Sequence, residues 1–136
     1  MDRAVVLRKL EALRHCLQRL RERRPATAEM LALDEDVQDV LVLNLSRAVQ
    51  LCVDIGAHVL TTSNQPVPAT MGETFTRLAA MGTISTELAL RLRRAVGFRN
   101  IAVHNYEAID WLIVFSLTGE SLADFDQFAT DVALRA

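Results

Sequence analysis

The strongest constraint on this chain is a recurring three- and four-residue spacing of apolar residues, divided into segments by prolines, glycines and polar capping residues. The first segment shows this spacing in five residues: Val6, Leu10, Leu13, Leu17 and Leu20. Such a spacing lines one face of an α-helix, whereas the strict alternation of a half-buried strand does not persist over a useful length. The sequence therefore predicts an all-α antiparallel helical bundle of about five helices.

The first two helices take their limits from a proline and from a cluster of acids. The first is predicted from about residue 3 to residue 23, because Pro25 stops it and a short connection follows. The second begins at Asp34 or Asp36, since a carboxylate there accepts hydrogen bonds from free backbone amides and stabilises the helix dipole. It continues to about residue 60, where TTSNQPVP supplies turn formers.

Capping residues also mark the remaining helices. Thr70 and Glu73 form a capping box that opens the third helix, and Gly82 closes it. Ser85 or Thr86 caps the fourth helix. After it, AIDWLIVFSL is predicted to be helical or briefly extended, and SLADFDQFATDVAL forms a last amphipathic helix.

The length and composition predict one cytoplasmic domain. A chain of 136 residues can bury a core, and no internal repeat divides residues 1–136. No uncharged stretch reaches the roughly 18 residues that a membrane span needs, so no membrane partner is expected. Cys16 and Cys52 stand in apolar helical contexts without a CxxC partner, which favours two buried thiols in a reducing compartment over a disulfide or metal pair.

The net charge of −2 hides an asymmetry between the two ends of the chain. Residues 1–24 carry eight basic and three acidic side chains, and residues 105–136 carry one basic and six acidic side chains. The basic stretch QRLRERR permits contact with RNA phosphates or an acidic partner, but a solvated helix end is the simpler interpretation. Charge alone therefore allows a nucleic-acid partner without requiring one.

One polar motif, GFRNIAVHNY over residues 97–106, is the candidate site. Arg99 and His104 are five residues apart, so on a continuous helix they would point about 140° away from each other. They converge within one chain only if the helix ends or tightens between them. With Gly97 and Asn100 in the motif, the sequence predicts a helix end that folds into a loop and brings Arg99, His104 and Tyr106 together.

The chemistry of these side chains suits cleavage of RNA by its own 2′-hydroxyl. Histidine can take or give a proton near neutral pH, and arginine can stabilise charge that develops on a phosphate. This reaction needs no metal, and the three isolated histidines form no metal-binding motif. Because one histidine is little for both acid and base, a two-fold dimer would supply two copies across a shared cleft. The alternative is structural: Arg99 and His104 cap helix carbonyls, and Tyr106 packs at the surface.

The residue identities in the motif are more informative than the spacing of Arg99 and His104 alone. FRNIAVHNYEAID closely resembles the Arg-(four residues)-His-x-Tyr signature of HEPN-domain proteins, and specifically of the HepT-like toxins of MNT–HEPN toxin–antitoxin pairs. The flanking segments AVQLCVDIGAHVL, PATMGETFTRLAAMGTIS and LADFDQFATDV are also similar to that family. The resemblance covers roughly residues 33–132.

The resemblance implies a homodimeric HEPN bundle with a cleft at the dimer interface. It implies a metal-independent endoribonuclease toxin, without a cofactor, in which Arg99 and His104 are the catalytic pair and Asn100 is the polar neighbour of the arginine. The implied partners are RNA and an MNT-type nucleotidyltransferase antitoxin, which can transfer AMP from ATP to the motif tyrosine, here Tyr106. The adenylate would bring bulk and negative charge beside the pair and compete with substrate phosphate.

Two points stay open at the level of sequence. Gln50, Asp54 and His58 lie four residues apart on the second helix, either as a stripe facing the cleft in which Asp54 orients His104 or Arg99, or as a locally satisfied polar seam. The alternative function is a non-catalytic HEPN binding module that docks a nucleotidyltransferase partner or a nucleotide.

Overall fold

The structure, a computed structural model, describes residues 3–134 and contains seven α-helices and no strand within that range. The helices are α1 (Arg3–Arg23), α2 (Ala28–Ala32), α3 (Glu35–Thr62), α4 (Met71–Ala80), α5 (Thr86–His104), α6 (Trp111–Leu117) and α7 (Leu122–Ala133). A short 3₁₀ turn, η1 (Tyr106–Ala108), joins α5 to α6. The predicted all-α bundle is confirmed, with α2 as a helix that the sequence did not predict.

Helix α2 lies in the segment that was predicted to be a connection. The side chain of Thr27 caps it by accepting a hydrogen bond from the amide of Met30 at 3.2 Å. Leu31 is fully buried, and Gln38 donates a 2.9 Å hydrogen bond from Nε2 to its carbonyl. Five residues are too few to show a helical period, and the helix depends on its packing against α3 and α6.

The capping residues were predicted well because their interactions are local. Asp34 is the cap of α3, accepting from the amide of Val37, and Ser85 is the cap of α5. At α4, Thr70 Oγ1 accepts from the amide of Glu73 at 3.1 Å. Glu73 reaches back as predicted, although its carboxylate accepts from the amide of Ala69, at 2.6 Å.

Helix α3 forms the centre of the bundle, with α1, α4, α5 and α7 packed around it. It is long and apolar enough to cross a membrane by length and composition, but 56% of its most apolar window is buried inside the protein. A core helix of a soluble bundle has this character. Gly56 permits the close approach of α4, because a Cβ atom there would lie 2.7 Å from Thr74 Cγ2.

The two cysteines are free and buried, in agreement with the prediction of separate buried thiols. Burial raises the pKa of both thiols, most strongly at Cys52, which is completely enclosed. Neither thiol is therefore ionised near neutral pH.

The charge asymmetry of the chain has a partly structural explanation. Arg21 at the basic end of α1 pairs with Asp126 on the acidic α7, and Arg91 on α5 pairs with Asp124 at 2.8 Å. Arg24 donates two hydrogen bonds to the carbonyl of Phe115 and lies 3.6 Å from the centre of its ring. Part of the basic end is therefore engaged within the bundle.

Candidate active site

Helix α5 continues through the whole polar motif and ends at His104. Asn105 follows as the cap, and its amide donates to the carbonyl of Ile101 at 2.8 Å. The predicted helix end between Arg99 and His104 is therefore wrong. Gly97 costs helix stability, but its neighbours Val96 and Phe98 are both buried in the core and hold the helix intact.

Continuity of the helix separates the two predicted catalytic side chains. Arg99 extends the buried row of Leu88, Leu92 and Ala95, at successive steps of four and three residues, and is itself half-buried. His104 lies on the exposed side, about 140° around the axis and about 7.5 Å further along it. Among the described residues no hydrogen bond joins the two side chains, so one protomer alone does not bring them together.

The Arg99 side chain turns toward the start of α4. Its Nη1 lies 3.7 Å from the sulfur of Met71, which is a weak hydrogen-bond acceptor. Within residues 3–134 it forms no ion pair with a carboxylate. By contrast, Arg77 on α4 binds Glu73 at 2.7 Å. Arg99 thus keeps a positive charge and free donors at the edge of the core, a combination suited to an anion.

His104 and Asn100 share the exposed face of α5, because they are four residues apart on the helix. The His104 imidazole makes no hydrogen bond or ion pair with the part of the chain that the structure describes. His104 is exposed, so a bound molecule can reach its imidazole.

Tyr106 lies in η1, two residues beyond His104, and is tied to a distant helix. Its Oη donates a 2.7 Å hydrogen bond to Oδ1 of Asp39 on α3, and its ring makes an edge-to-face contact with Trp111 at 6.1 Å between centroids. Burial, the hydrogen bond to Asp39 and the negative charges of Asp39 and Glu35 raise the pKa of Tyr106 to about 12. Sequence reasoning missed Asp39, because 67 residues separate it from Tyr106 and nothing local marks it.

Asp54 is engaged elsewhere in the bundle. Its carboxylate lies 3.7 Å from Lys9 on α1 and accepts a 2.9 Å hydrogen bond from Gln50. It also lies fifteen residues from Asp39, or about 22 Å along α3, while Asp39 is the residue that reaches the motif. Of the two alternatives for Asp54, its described hydrogen bond and ion pair agree with the locally satisfied polar seam, and neither joins it to Arg99 or His104 in this protomer.

Part of the motif on α5, the segment that follows it and α6 line an apolar groove of 460 Å³. Ile101, Ile109 and Ile113 line it, and Ile101 and Val103 are 46% and 54% exposed. Among residues 3–134, no three side chains of His, Cys, Asp or Glu are grouped closely enough to hold a metal ion.

Comparison with known proteins identifies the family to which a chain with this fold and motif belongs. The sequence model of the family described as ribonuclease HepT-like matches residues 13–132, which is most of the chain. This chain belongs to the HepT-like ribonuclease family. The resemblance seen in the sequence is confirmed, and with it the predicted class of protein, a HEPN-type ribonuclease toxin.

Individual HepT-like relatives agree over nearly the full length. The mRNA nuclease HepT of Shewanella oneidensis is 31% identical over 124 residues, covering 91% of this chain and 92% of that protein. A tri-AMPylated HEPN toxin from Shewanella oneidensis, solved in complex with its MNT antitoxin, superposes with a TM-score of 0.90 at 29% identity, covering 98% and 99% of the two chains. A toxin–antitoxin crystal structure with AMP-PNP gives a TM-score of 0.89 at 29% identity, covering 97% and 99%.

Proposed function

We propose that this HepT-like ribonuclease is the cytoplasmic toxin of a toxin–antitoxin pair and cleaves RNA with Arg99 and His104 without a metal. The observation that carries the assignment is the lack of a carboxylate partner for the Arg99 side chain within residues 3–134. The half-buried Arg99 has no carboxylate partner among the described residues, and the thioether of Met71 is its one side-chain hydrogen-bond acceptor there. A cation left uncompensated in this way attracts the phosphate of a substrate.

In the proposed reaction the 2′-oxygen of the RNA attacks the adjacent phosphorus. The bond from this oxygen to phosphorus forms and the bond to the 5′-oxygen breaks. His104 accepts the proton of the 2′-hydroxyl, and water supplies the proton that the departing 5′-oxygen takes up. Arg99 binds the non-bridging oxygens and stabilises the charge that grows on them. Asn100, on the same face as His104, supplies a neutral donor to the substrate backbone. The name of the Shewanella oneidensis relative supports mRNA as the substrate.

A homodimer completes the site in this proposal. Since α5 is continuous, Arg99 and His104 of one protomer diverge, and each site combines Arg99 of one protomer with His104 of its partner. The exposed Ile101 and Val103, within the motif, provide the apolar surface that a second copy would cover.

Neutralisation is proposed to occur through an MNT-type nucleotidyltransferase that transfers AMP to Tyr106. The Tyr106 side chain is 41% exposed, so a partner enzyme can reach it. The added phosphodiester would bring bulk and negative charge two residues from His104 and compete with RNA phosphate. The tri-AMPylated relative in complex with an MNT antitoxin supports this part of the proposal. We expect the neighbouring gene to encode such an antitoxin.

The test is induced expression in a bacterial host, with growth recorded and total RNA separated on a gel. The parent should arrest growth and degrade an RNA class, and Arg99→Ala and His104→Ala should do neither at matched soluble levels. Arg14→Ala and His15→Ala, two exposed positions on α1, are matched controls that should behave as the parent. If parent and catalytic-pair variants act alike, the assignment fails and the non-catalytic binding module becomes the better account.

A further inference from the structure

We infer that Asp39 is the general base that accepts the phenolic proton of Tyr106 during AMP transfer. This inference rests on the proposed modification of Tyr106 and assigns the proton acceptor for that step. It makes Asp39 a residue of the toxin that takes part in its own inactivation, in addition to the groups that the antitoxin supplies.

The first support is the geometry around the phenol. Oη of Tyr106 and Oδ1 of Asp39 are 2.7 Å apart, within the range over which a general base abstracts a proton directly. The ring of Tyr106 also packs edge-to-face with Trp111, a second contact that limits where the phenol can move.

The second support is that the Asp39 carboxylate is available. Asp39 is exposed and forms no ion pair with a described lysine, arginine or histidine, unlike Asp54, Asp124 and Asp126. Its described side-chain hydrogen-bond partner is the hydroxyl that must lose its proton.

The third support is the chemistry of the phenol. Burial and the negative charge of Asp39 and Glu35 raise the pKa of Tyr106 to about 12, so the phenolate is scarce near neutral pH. The hydroxyl must then lose its proton as it reacts. Oη attacks the α-phosphorus of ATP, the Oη–P bond forms, the bond to the β-phosphate oxygen breaks, pyrophosphate leaves, and the proton passes to Oδ1 of Asp39.

The experiment uses the full-length toxin with the MNT antitoxin from its own neighbouring gene, magnesium and ATP. The initial rate of AMP addition to Tyr106 is measured by intact-protein mass from about pH 6 to about pH 9. For the parent, the rate should be insensitive to the ionisation of Tyr106 in this range, because Asp39 takes the proton during the reaction and no phenolate has to form beforehand. Asp39→Asn should slow transfer about 10²- to 10⁴-fold, and its residual rate should rise about tenfold per pH unit as phenolate forms.

Two further variants separate proton transfer from structure. Asp39→Glu keeps a carboxylate and should restore part of the rate and the parent's pH profile. Asp36→Asn removes an acid one turn away that is neither the hydrogen-bond partner of Tyr106 nor one of the charges that raise its pKa, and it should match the parent. Thermal melting of each variant identifies any that fails to fold.

The outcomes distinguish failure of the role proposed for Asp39 from failure of the proposed modification of Tyr106. If the parent is adenylated and Asp39→Asn reacts at the same rate with the same pH profile, Asp39 is not the base, while modification of Tyr106 stands. If a catalytically active antitoxin adds no AMP to Tyr106 of the parent, the proposed neutralisation fails and the role of Asp39 fails with it.

Discussion

Tyr106 donates a 2.7 Å hydrogen bond to Asp39, and this contact joins the turn after α5 to the first turns of α3 across 67 residues of sequence. The polar end of the motif is therefore attached to the central helix of the bundle. The ring of Tyr106 also contacts Trp111, and these two residues are the one tyrosine and the one tryptophan of the sequence. Spectroscopic signals from either residue therefore report on this site.

Replacement of Asp39 should make Tyr106 more acidic. The pKa of Tyr106 is raised to about 12, and Asp39→Asn removes the negative charge but leaves the burial, so the value should fall part of the way toward 10. Absorbance of the tyrosinate measures it directly, since no other tyrosine contributes. Asp36→Asn is the control and should leave the titration unchanged. An identical curve for parent and Asp39→Asn would contradict the hydrogen bond.

The same pKa shift predicts how stability depends on alkaline pH. Because the pKa of Tyr106 is higher in the folded protein than its ordinary value of 10, the phenol stabilises the fold fully below pH 10. That contribution is lost as the pH rises from 10 to about 12. Denaturant midpoints of the parent and Tyr106→Phe should therefore converge over this interval. A constant difference between them would rule out this linkage.

The division of the catalytic pair between protomers predicts complementation. Arg99→Ala and His104→Ala are each expected to be inactive, but a heterodimer of the two retains one site with an intact Arg99 and an intact His104. Co-expression of the two variants with different affinity tags, followed by tandem purification, isolates that heterodimer for a ribonuclease assay. Recovery of activity supports the shared site. No recovery in a verified heterodimer means that both residues must come from one chain.

The sequence predicted those features whose causes are local. Ser85 and Thr70 act on amides three residues away, so their caps could be read directly from the text. The end of α5 could not, because Phe98 and the buried row leading to Arg99 hold the helix past a glycine that suggests a break. The apolar spacing of that row was visible in the sequence, and its burial stabilises the helix by more than Gly97 destabilises it. The contact between Asp39 and the motif depends on tertiary packing and left no sequence signal.

The capping box of α4 should contribute measurably to stability. Thr70→Ala removes the acceptor for the amide of Glu73 and should destabilise the protein by about 1 kcal/mol. The pKa of Glu73 is lowered, first by the hydrogen bond from the amide of Ala69 and then by Arg77. The contribution of the Glu73 carboxylate to folding stability is therefore present above its ordinary pKa of 4.5 and is lost as the pH falls below that value. Urea unfolding near neutral pH measures the first effect. Thr61→Ala, an exposed threonine inside α3, should change stability little.

Two glycines in helices should respond to alanine with opposite signs. At Gly97 an added Cβ meets no atom within 4 Å, so Gly97→Ala should stabilise the continuous α5 by about 1 kcal/mol. At Gly56 the Cβ would lie 2.7 Å from Thr74 and 2.9 Å from Leu78 in the core, so Gly56→Ala should destabilise the protein by about 1–3 kcal/mol. Thermal melting of both variants decides the signs. If Gly97→Ala lowers the melting temperature, either α5 breaks within the motif or a second protomer approaches the α5 backbone at this glycine. Only the second explanation predicts a weaker dimer, so analytical ultracentrifugation of the variant distinguishes them.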